Sequence, residues 1–436
     1  MCKLKKVAAS LCFMIVLGII LSRVSFVFER KESEERYSAF WQDPEDYDVW
    51  FIGTSHIYDS IDPMMLWKQH GIRSYDLAAP GSLMPQTYWT MMCALQYGEP
   101  KVMVLDPHKA RFNDRRQVEE ETGTVHTGFD SIPLSPVKIR GICDIFDTWE
   151  ERFEYICKFS VYHNRWDDLS KKDFIFSPSA SKGFYFNNNL MDGSDYEVVR
   201  TEKVSEMDTL GFFYLRKIIE ACKERKIELL LIGVPFCRDE EEQSVMNAVS
   251  RLAEEYGVKY QDLTDEGIVD YGVDYGDRGH TNLFGAKKIT SYIGDYLSEH
   301  YDLPDYRGTA EVAEEWENSY RDYHQYILEK VRKAGKIKPY VQWLASGGYT
   351  CYLYQKKEPG GMLKKEIEQL DNVIDITLKD AERKLGRKVK GGVAFFVEDE
   401  DGKRLDTAVF KKGKRRIQAF PTRGLISEMY FSRKNK

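Results

Sequence analysis

The chain has 436 residues, of which 42% are apolar and 31% are charged, and its formal net charge is −7 with a pI near 5.8. This apolar share is that of a folded globular protein, so the composition argues against an intrinsically disordered chain. The acidic balance argues against a nucleic-acid-binding protein, which needs a broad basic face.

The first thirty residues predict a membrane anchor. Three lysines within the first six residues precede an apolar run from Val7 to Phe28, which is long enough for one transmembrane helix. Lysines on that side favour a cytoplasmic N-terminus, which places the rest of the chain outside the cytoplasm. A cleaved signal peptide is the alternative, although no small-x-small cleavage site follows the run. We predict a single-pass anchor over residues 1–29 and a charged connector over 30–47.

Apolar runs then alternate with amphipathic segments. Strands are predicted at 49–52, 73–77, 101–105, 228–235 and 258–263, and helices at 63–70, 84–97, 208–227, 240–257 and 282–301. Strands that alternate with helices predict an α/β domain, over residues 48–308, whose parallel sheet is covered on both faces. In such a sheet, ligands bind at the carboxyl ends of the strands.

Two regions depart from this alternation. Residues 107–207 are rich in aromatic, charged and asparagine residues, and a structureless loop of that length is rare inside a compact domain. We therefore predict an inserted subdomain or lid there. After residue 308, we predict a helix over 309–335 and a small α+β module over 336–436. In this module the spacing predicts strands on both sides of a helix over 363–386, and Asp401-Gly402 is typical of a hairpin turn.

The carboxyl end of the first strand carries a candidate nucleophile. Ser55 follows the strand in the stretch FIGTSH, and a serine hydroxyl needs a base, which an acid must orient. His56 is adjacent, but neighbouring side chains after a strand usually diverge. Asp277 and His280, just before the last helix of the α/β region, are a better pair, because Asp277 can hold the imidazole in the tautomer that accepts a proton. Since Ile57 stands where a Gly-x-Ser-x-Gly elbow needs its second glycine, an α/β-hydrolase is disfavoured.

Three blocks resemble those of the SGNH (GDSL-like) hydrolases. FIGTSH resembles the first block, with Ser55 as the nucleophile; DLAAPGS, at 76–82, resembles the second, with Gly81 as an oxyanion donor beside the Ser55 amide; and DRGHTNLFGAKK resembles the last, with Asp277 and His280. The resemblance implies a flavodoxin-like three-layer sandwich and a serine-dependent acyl-ester reaction. Such chemistry needs no cofactor. No Cys/His cluster has metal-ligand spacing, so we predict neither a cofactor nor a metal.

The third block departs from the family pattern. Where the family supplies an asparagine oxyanion donor in Gly-x-Asn-Asp, this chain has LDPHKARFND, in which Asn113 is a late substitute. Asp106 and His108 occupy the expected place, and together with His56 they are predicted substrate contacts or parts of a hydrogen-bonded loop. The loss of one oxyanion donor costs on the order of 10²–10³ in rate.

This altered block, the anchor and the outside domain look most like membrane-tethered SGNH proteins of teichoic-acid D-alanylation and exopolysaccharide O-acetylation. The resemblance implies an O-acyltransferase or esterase that acts on a cell-envelope polysaccharide or related polymer, with a membrane-bound O-acyltransferase as a partner. A non-catalytic scaffold that binds such a polymer or partner is the other hypothesis. The basic run KKGKRR, at 411–416, is either a contact for an anionic polymer or a solvated hairpin face.

Overall fold

The computed structural model of the protein describes residues 2–42, 47–116 and 123–419. The chain forms two compact units, and each unit is built from three separate segments of the sequence. The first unit comprises Met1–Tyr185, Val198–Gly267 and Ser291–Thr309, and the second comprises Phe186–Glu197, Ile268–Thr290 and Ala310–Lys436. Two segments of the predicted 48–308 domain therefore belong to the second unit.

A parallel five-stranded sheet forms the centre of the first unit, as the alternation of strands and helices predicts. Its strands are β1 (Val49–Ile52), β2 (Ser74–Asp76), β3 (Val102–Leu105), β4 (Glu228–Gly233) and β5 (Lys259–Asp262). The strand order is β2-β1-β3-β4-β5, and every neighbouring pair is parallel. This order is the flavodoxin-like one, in which the direction of winding reverses between β1 and β3. Ligands bind beside such a reversal, at the carboxyl ends of the two strands.

Outside the predicted insertion, helices lie between these strands or follow the last one. The first of them was not predicted, and the others have bounds within a few residues of those predicted. They are α3 (Ser55–Tyr58), α4 (Pro63–His70), α5 (Met84–Ala94), α11 (Leu210–Arg225), α12 (Glu240–Tyr256) and α13 (Leu283–His300). The apolar stripe of α11 is buried, including Phe212, Leu215 and Ile218. In α12, a capping box of Asp239 and Glu242 starts the helix, and Gly257 ends it with φ of 62°.

The predicted insertion, 107–207, contains five short α-helices within its described residues. They are α6 (Gly123–Phe129), α7 (Pro136–Ile145), α8 (Trp149–Ile156), α9 (Phe159–Tyr162) and α10 (Lys171–Phe174). Phe129, Ile142, Phe146 and Tyr155 form an apolar cluster there, and Trp89 of α5 packs against it. This part of the insertion is therefore folded around a core; residues 117–122 lie outside the described residues.

Two helices precede the sheet. Helix α1 (Cys2–Phe28) contains an apolar stretch, Lys5–Phe28, with a mean hydropathy of 2.4 that is long enough to cross a membrane, although a signal sequence has the same properties. The predicted connector contains helix α2 (Lys31–Gln42), whose Tyr37 and Phe40 are buried. Residues 43–46 of this connector lie outside the described residues.

The second unit contains a mixed five-stranded sheet of order β10-β9-β8-β6-β7. Its strands are β6 (Thr350–Gln355), β7 (Asn372–Asp375), β8 (Val393–Glu398), β9 (Arg404–Lys411) and β10 (Lys414–Ala419); its helices are α14 (Ala310–Lys333), α15 (Ile337–Ala345), α16 (Met362–Glu368) and α17 (Leu378–Leu385). The predicted β8–β9 hairpin is present, with φ of 75° at Gly402. Residues 420–436 of the predicted module lie outside the described residues.

The single helix predicted over 363–386 is wrong. The segment forms α16, then strand β7 paired parallel to β6, then α17. The β-branched pair Val373-Ile374 favours an extended chain, and the Thr377 hydroxyl caps a new helix by accepting a hydrogen bond from the Asp380 amide at 3.2 Å. The charged residues on both sides of the strand recur at helical spacing, so the sequence pattern predicted one continuous helix.

Candidate active site

Ser55 lies where β1 ends at the reversal of the sheet. β1 is buried along its whole length, and Thr54 caps the short helix α3 by accepting a hydrogen bond from the His56 amide at 3.3 Å. Ser55 opens that helix and is partly exposed, whereas its neighbours from Phe51 to Thr54 and from His56 to Ser60 are buried. The strand thus ends by bringing one serine to the surface at the carboxyl edge of the sheet.

Gly53 makes this turn possible. Its φ of 136° is one that side chains rarely adopt, and a Cβ there would lie 3.3 Å from both the Asp106 carbonyl oxygen and Ile57 Cγ1. The chain after β1 can therefore run close against the chain after β3. A side chain at this position would crowd both neighbours and strain the backbone.

The second predicted block lies beside the first. The Leu77 amide donates to the Phe51 carbonyl at 2.8 Å, and the Ala79 amide donates to the Gly53 carbonyl at 3.1 Å. Gly81, the predicted oxyanion donor, is partly exposed and has φ of 57°. Asp76 is fully buried at the end of β2 and accepts from the Ala78 amide at 2.8 Å; burial raises its pKa well above the usual range. Backbone pairing therefore holds DLAAPGS against the chain that carries Ser55.

A cluster of two histidines and one aspartate lies just after the ends of β1 and β3. Asp106 Oδ2 lies 3.0 Å from His108 Nδ1 and 3.3 Å from His56 Nδ1, and Asp106 Oδ1 accepts from the His108 amide at 3.2 Å. The side chains of His56, His108 and Asp106 are 9%, 10% and 1% exposed. The two imidazole rings stack with centroids 3.9 Å apart, and Phe236 lies 4.5 Å from the His56 ring.

Electrostatics fix the charges in this cluster. Burial raises the pKa of Asp106, but the charges and hydrogen bonds of His108 and His56 outweigh burial, so the pKa lies below its usual range. Burial lowers the pKa of His108 in spite of the nearby carboxylate. An ionised carboxylate only accepts hydrogen bonds, so the Nδ1 of His108 carries a proton and its Nε2 keeps the lone pair. Asp106 thus orients His108 as a neutral base or hydrogen-bond acceptor.

The ligand types of this cluster suit a transition metal, but their arrangement does not. The candidate nitrogen and oxygen atoms of His56, Asp106 and His108 lie within 4.8 Å of one another. However, an imidazole binds a metal in the plane of its ring, and these rings are stacked 3.9 Å apart with an interplanar angle of 14°. An ion midway between them would lie about 2 Å out of each ring plane, which is nearly the whole ~2.1 Å length of a zinc–nitrogen bond. The three residues therefore do not fit one ion in this arrangement.

The predicted Asp277–His280 pair is formed in the second unit. His280 Nδ1 lies 2.8 Å and 3.0 Å from the two carboxylate oxygens of Asp277, and Asp277 Oδ1 also accepts from the amides of Gly279 and His280 at 2.8 Å and 3.0 Å. The side chains of His280 and Asp277 are 32% and 56% exposed. The carboxylate fixes the tautomer of His280 so that Nε2 bears the lone pair, as a general base requires.

Two buried asparagines support this loop. Buried Asn282 donates to the Val273 carbonyl at 2.7 Å, and its side-chain oxygen caps α13 by accepting from the Phe284 amide at 2.9 Å. Asn187, from the asparagine run in the predicted insertion, donates to the Thr281 carbonyl at 2.9 Å. For Asn187, the asparagine run in an aromatic segment was the only signal in the sequence, and it did not show which loop this residue supports.

Asn113, the late substitute for the family's oxyanion donor, is exposed. Its side-chain oxygen accepts from the Leu210 amide at 3.0 Å, at the start of α11. This contact gives Asn113 a helix-capping role.

The structure thus brings together His56 with Asp106 and His108, and Asp277 with His280. Ser55 and Gly81 belong to the first unit, and the Asp277–His280 pair belongs to the second. No protein-family model and no curated protein matches this chain, so its function is inferred from its own residues.

Proposed function

We propose that this chain is an extracytoplasmic serine acyl-ester enzyme, an O-acyltransferase or esterase of SGNH type, that acts on a cell-envelope polysaccharide or related polymer. The observation that carries the proposal is the Asp277–His280 pair, in which both carboxylate oxygens face Nδ1 at 2.8 Å and 3.0 Å. Ser55 adds a partly exposed serine at the reversal of a flavodoxin-ordered sheet.

The chemistry assigns one role to each residue. His280 Nε2 takes the proton of the Ser55 hydroxyl as its oxygen attacks the acyl carbonyl, and Asp277 stabilises the imidazolium that forms. The amides of Ser55 and Gly81 bind the oxyanion of the tetrahedral intermediate. Collapse of the intermediate expels the alcohol of the donor, which takes the proton from His280, and leaves an acyl-enzyme. A sugar hydroxyl or water then attacks it by the same steps in reverse, so a transferase and an esterase share this site.

Contacts at the end of α1 support a retained anchor, which would put the reaction at the outer face of the membrane. Phe28, the last residue of α1, packs edge-on against Trp166 with ring centroids 4.4 Å apart, and Phe26 packs against Phe176 at 6.0 Å. Arg165 also donates to the Phe28 carbonyl. Removal of a signal peptide after the apolar run would delete these contacts, so they favour an uncleaved single-pass anchor over a signal peptide.

Active-site labelling tests the proposal. The full-length protein in detergent should react with a fluorophosphonate probe at neutral to mildly alkaline pH. Ser55→Ala should abolish the reaction, and His280→Asn should slow it by about 10³-fold or more, because the hydroxyl then lacks a base. Ser177→Ala, which removes an exposed hydroxyl of the same unit, should label normally. A correctly folded wild-type protein that does not label would refute the enzyme.

The second candidate is a non-catalytic scaffold of the same fold, which binds a polymer or a membrane-bound O-acyltransferase. One observation favours it: the Asp277 side chain is 56% exposed, whereas a buried aspartate orients the base in the serine triad described for proteases. Envelope acylation distinguishes the two. Cells with Ser55→Ala in place of the wild type should lose acylation if the chain is the enzyme, and should keep it in full if the chain is a scaffold.

A further inference from the structure

Two basic runs that are distant in sequence line one cleft of the second unit. Arg387, Lys388 and Lys390 follow α17, and Lys411, Lys412 and Arg416 lie on and beside the β9–β10 turn; with Val409 they surround a cleft of about 840 Å³. The sequence showed KKGKRR as a single run on a hairpin. The structure joins it to GRKVK, more than twenty residues earlier.

Strand pairing causes this convergence. Val393, at the start of β8, pairs with Phe410 in β9, and the Gly392 amide donates to the Phe410 carbonyl at 2.9 Å. Gly391 is required for this approach, because a Cβ there would lie 2.5 Å from Val409 Cγ1 and 2.6 Å from the Phe410 carbonyl oxygen. The first basic run therefore lies directly against the strand that leads into the second.

The six cations have no carboxylate partners among the residues that the structure describes. Nearby basic residues of the same unit differ: Lys384 and Arg404 share Glu398 at 3.1 Å and 2.7 Å, and Arg415 binds Asp406 at 2.7 Å. Six like charges around one cleft repel one another. This local concentration of positive charge contrasts with the net charge of the chain, which is −7. Such a concentration of one sign attracts ligands of the opposite sign.

We propose that this cleft binds a polyanionic polymer, a chain with repeating phosphate or carboxylate groups. Arginine and lysine both pair with these groups, and arginine can do so through two parallel hydrogen bonds. Six cations exceed what a single small anion can neutralise, and the cleft volume of about 840 Å³ matches a ligand of several units. A neutral polysaccharide lacks the charge that this lining selects.

Binding is measured on the full-length Ser55→Ala protein in nanodiscs of zwitterionic lipid. The substitution prevents turnover of the polymer, so a failure of serine catalysis would leave this test unaffected, and the lipid contributes no competing net negative charge. Three probes are titrated: poly(glycerol phosphate), polygalacturonate and neutral dextran. We expect binding of one or both polyanions at about 50 mM salt, a steep loss of affinity as salt rises, and no binding of dextran. The better polyanion identifies phosphate or carboxylate as the natural group.

Matched double variants locate the site. Lys388→Gln with Lys411→Gln removes one charge from each basic run and should weaken polyanion binding by about tenfold or more. Lys379→Gln with Lys403→Gln removes two exposed charges of the same unit outside the cleft and should leave affinity within about twofold of the parent. The proposal is wrong if no polyanion binds at low salt, if both double variants lose affinity equally, or if dextran binds as well as the polyanions.

Discussion

At the scale of single residues, the buried carboxylate of Asp106 connects the two histidines of the cluster that follows β1 and β3. It is 1% exposed, it accepts from the His108 amide and faces the Nδ1 atoms of two histidines, and its pKa is held below the usual range by those histidines in spite of burial. A lowered carboxyl pKa contributes stability that is complete above the unfolded-state pKa and is lost as the pH falls toward the folded-state value. At neutral pH this contribution is therefore fully present.

Asp106→Asn should consequently destabilise the protein. The amide keeps one acceptor oxygen but places a donor against a second donor, so at least one buried N–H group loses its partner, at a cost of about 1–3 kcal/mol in the free energy of unfolding. Thermal or chemical denaturation at neutral pH measures this loss. Asp147→Asn is the control, because that side chain is 79% exposed and its surface pair with Arg115 should contribute little. Equal stability of both variants would contradict the role given to Asp106.

The contact between Asp277 and His280 could be predicted from the sequence, whereas the contact between His56 and Asp106 could not. Asp277 and His280 are three residues apart, so local spacing was sufficient to predict their contact. His56 and Asp106 are fifty residues apart, and their contact depends on β1 and β3 being neighbours. Residue spacing alone does not determine that adjacency; the strand order does.

At the scale of elements, strong periodicity predicted the five strands of the parallel sheet and the longer helices around it, but not α3 or the short helices of the insertion. The apolar residues of α11 and α12 recur at helical spacing over four turns or more. Packing of these apolar faces against the sheet therefore favours the same helices as the local sequence does. Prediction failed between 363 and 386, where each element has eight residues or fewer and a strand of four separates two helices. Tertiary pairing with β6, which the local sequence does not contain, determines that strand.

The C-terminal end of α1 has a consequence for the membrane. Trp166 contacts Phe28 yet is 67% exposed, and Phe174 and Ile175, on or just after α10, are 64% and 65% exposed. If α1 spans the bilayer, these side chains lie at the level of the lipid headgroups, where tryptophan is favoured. We therefore expect lipids brominated near the headgroup to quench Trp166 fluorescence in the reconstituted protein, and Trp166→Phe to remove a distinct share of the quenching.

Trp149→Phe provides the comparison, since Trp149 is also 67% exposed but begins α8, whereas Trp166 contacts Phe28 at the end of α1. Its loss should change the quenching less than the loss of Trp166. Quenching that is unaffected by Trp166→Phe, or reduced more by Trp149→Phe, would contradict a membrane contact at this position.

At the scale of the whole molecule, segments of the two units alternate along the sequence, so truncation at a single residue does not separate one unit from the other. The predicted boundary after residue 308 leaves 186–197 and 268–290 on the N-terminal side, although both belong to the second unit. Phe186 packs against Tyr323 and Trp343 with ring centroids 5.7 Å and 5.3 Å apart, and Lys287 pairs with Asp371. The loop that carries Asp277 and His280 therefore depends on residues that follow the boundary.

A chain ending at residue 308 should accordingly lose order in this loop while keeping its parallel sheet. Hydrogen exchange measures both: the amides of Gly276 and Asn282, which donate to the His280 and Asp274 carbonyls at 2.9 Å, should exchange much faster than in the full chain. The amides of β1 and β3 serve as the internal control, because their partners all precede residue 308. Unchanged protection of the loop would show that the pair forms without the residues after 308. Loss of protection throughout would mean that the parallel sheet also needs the C-terminal residues.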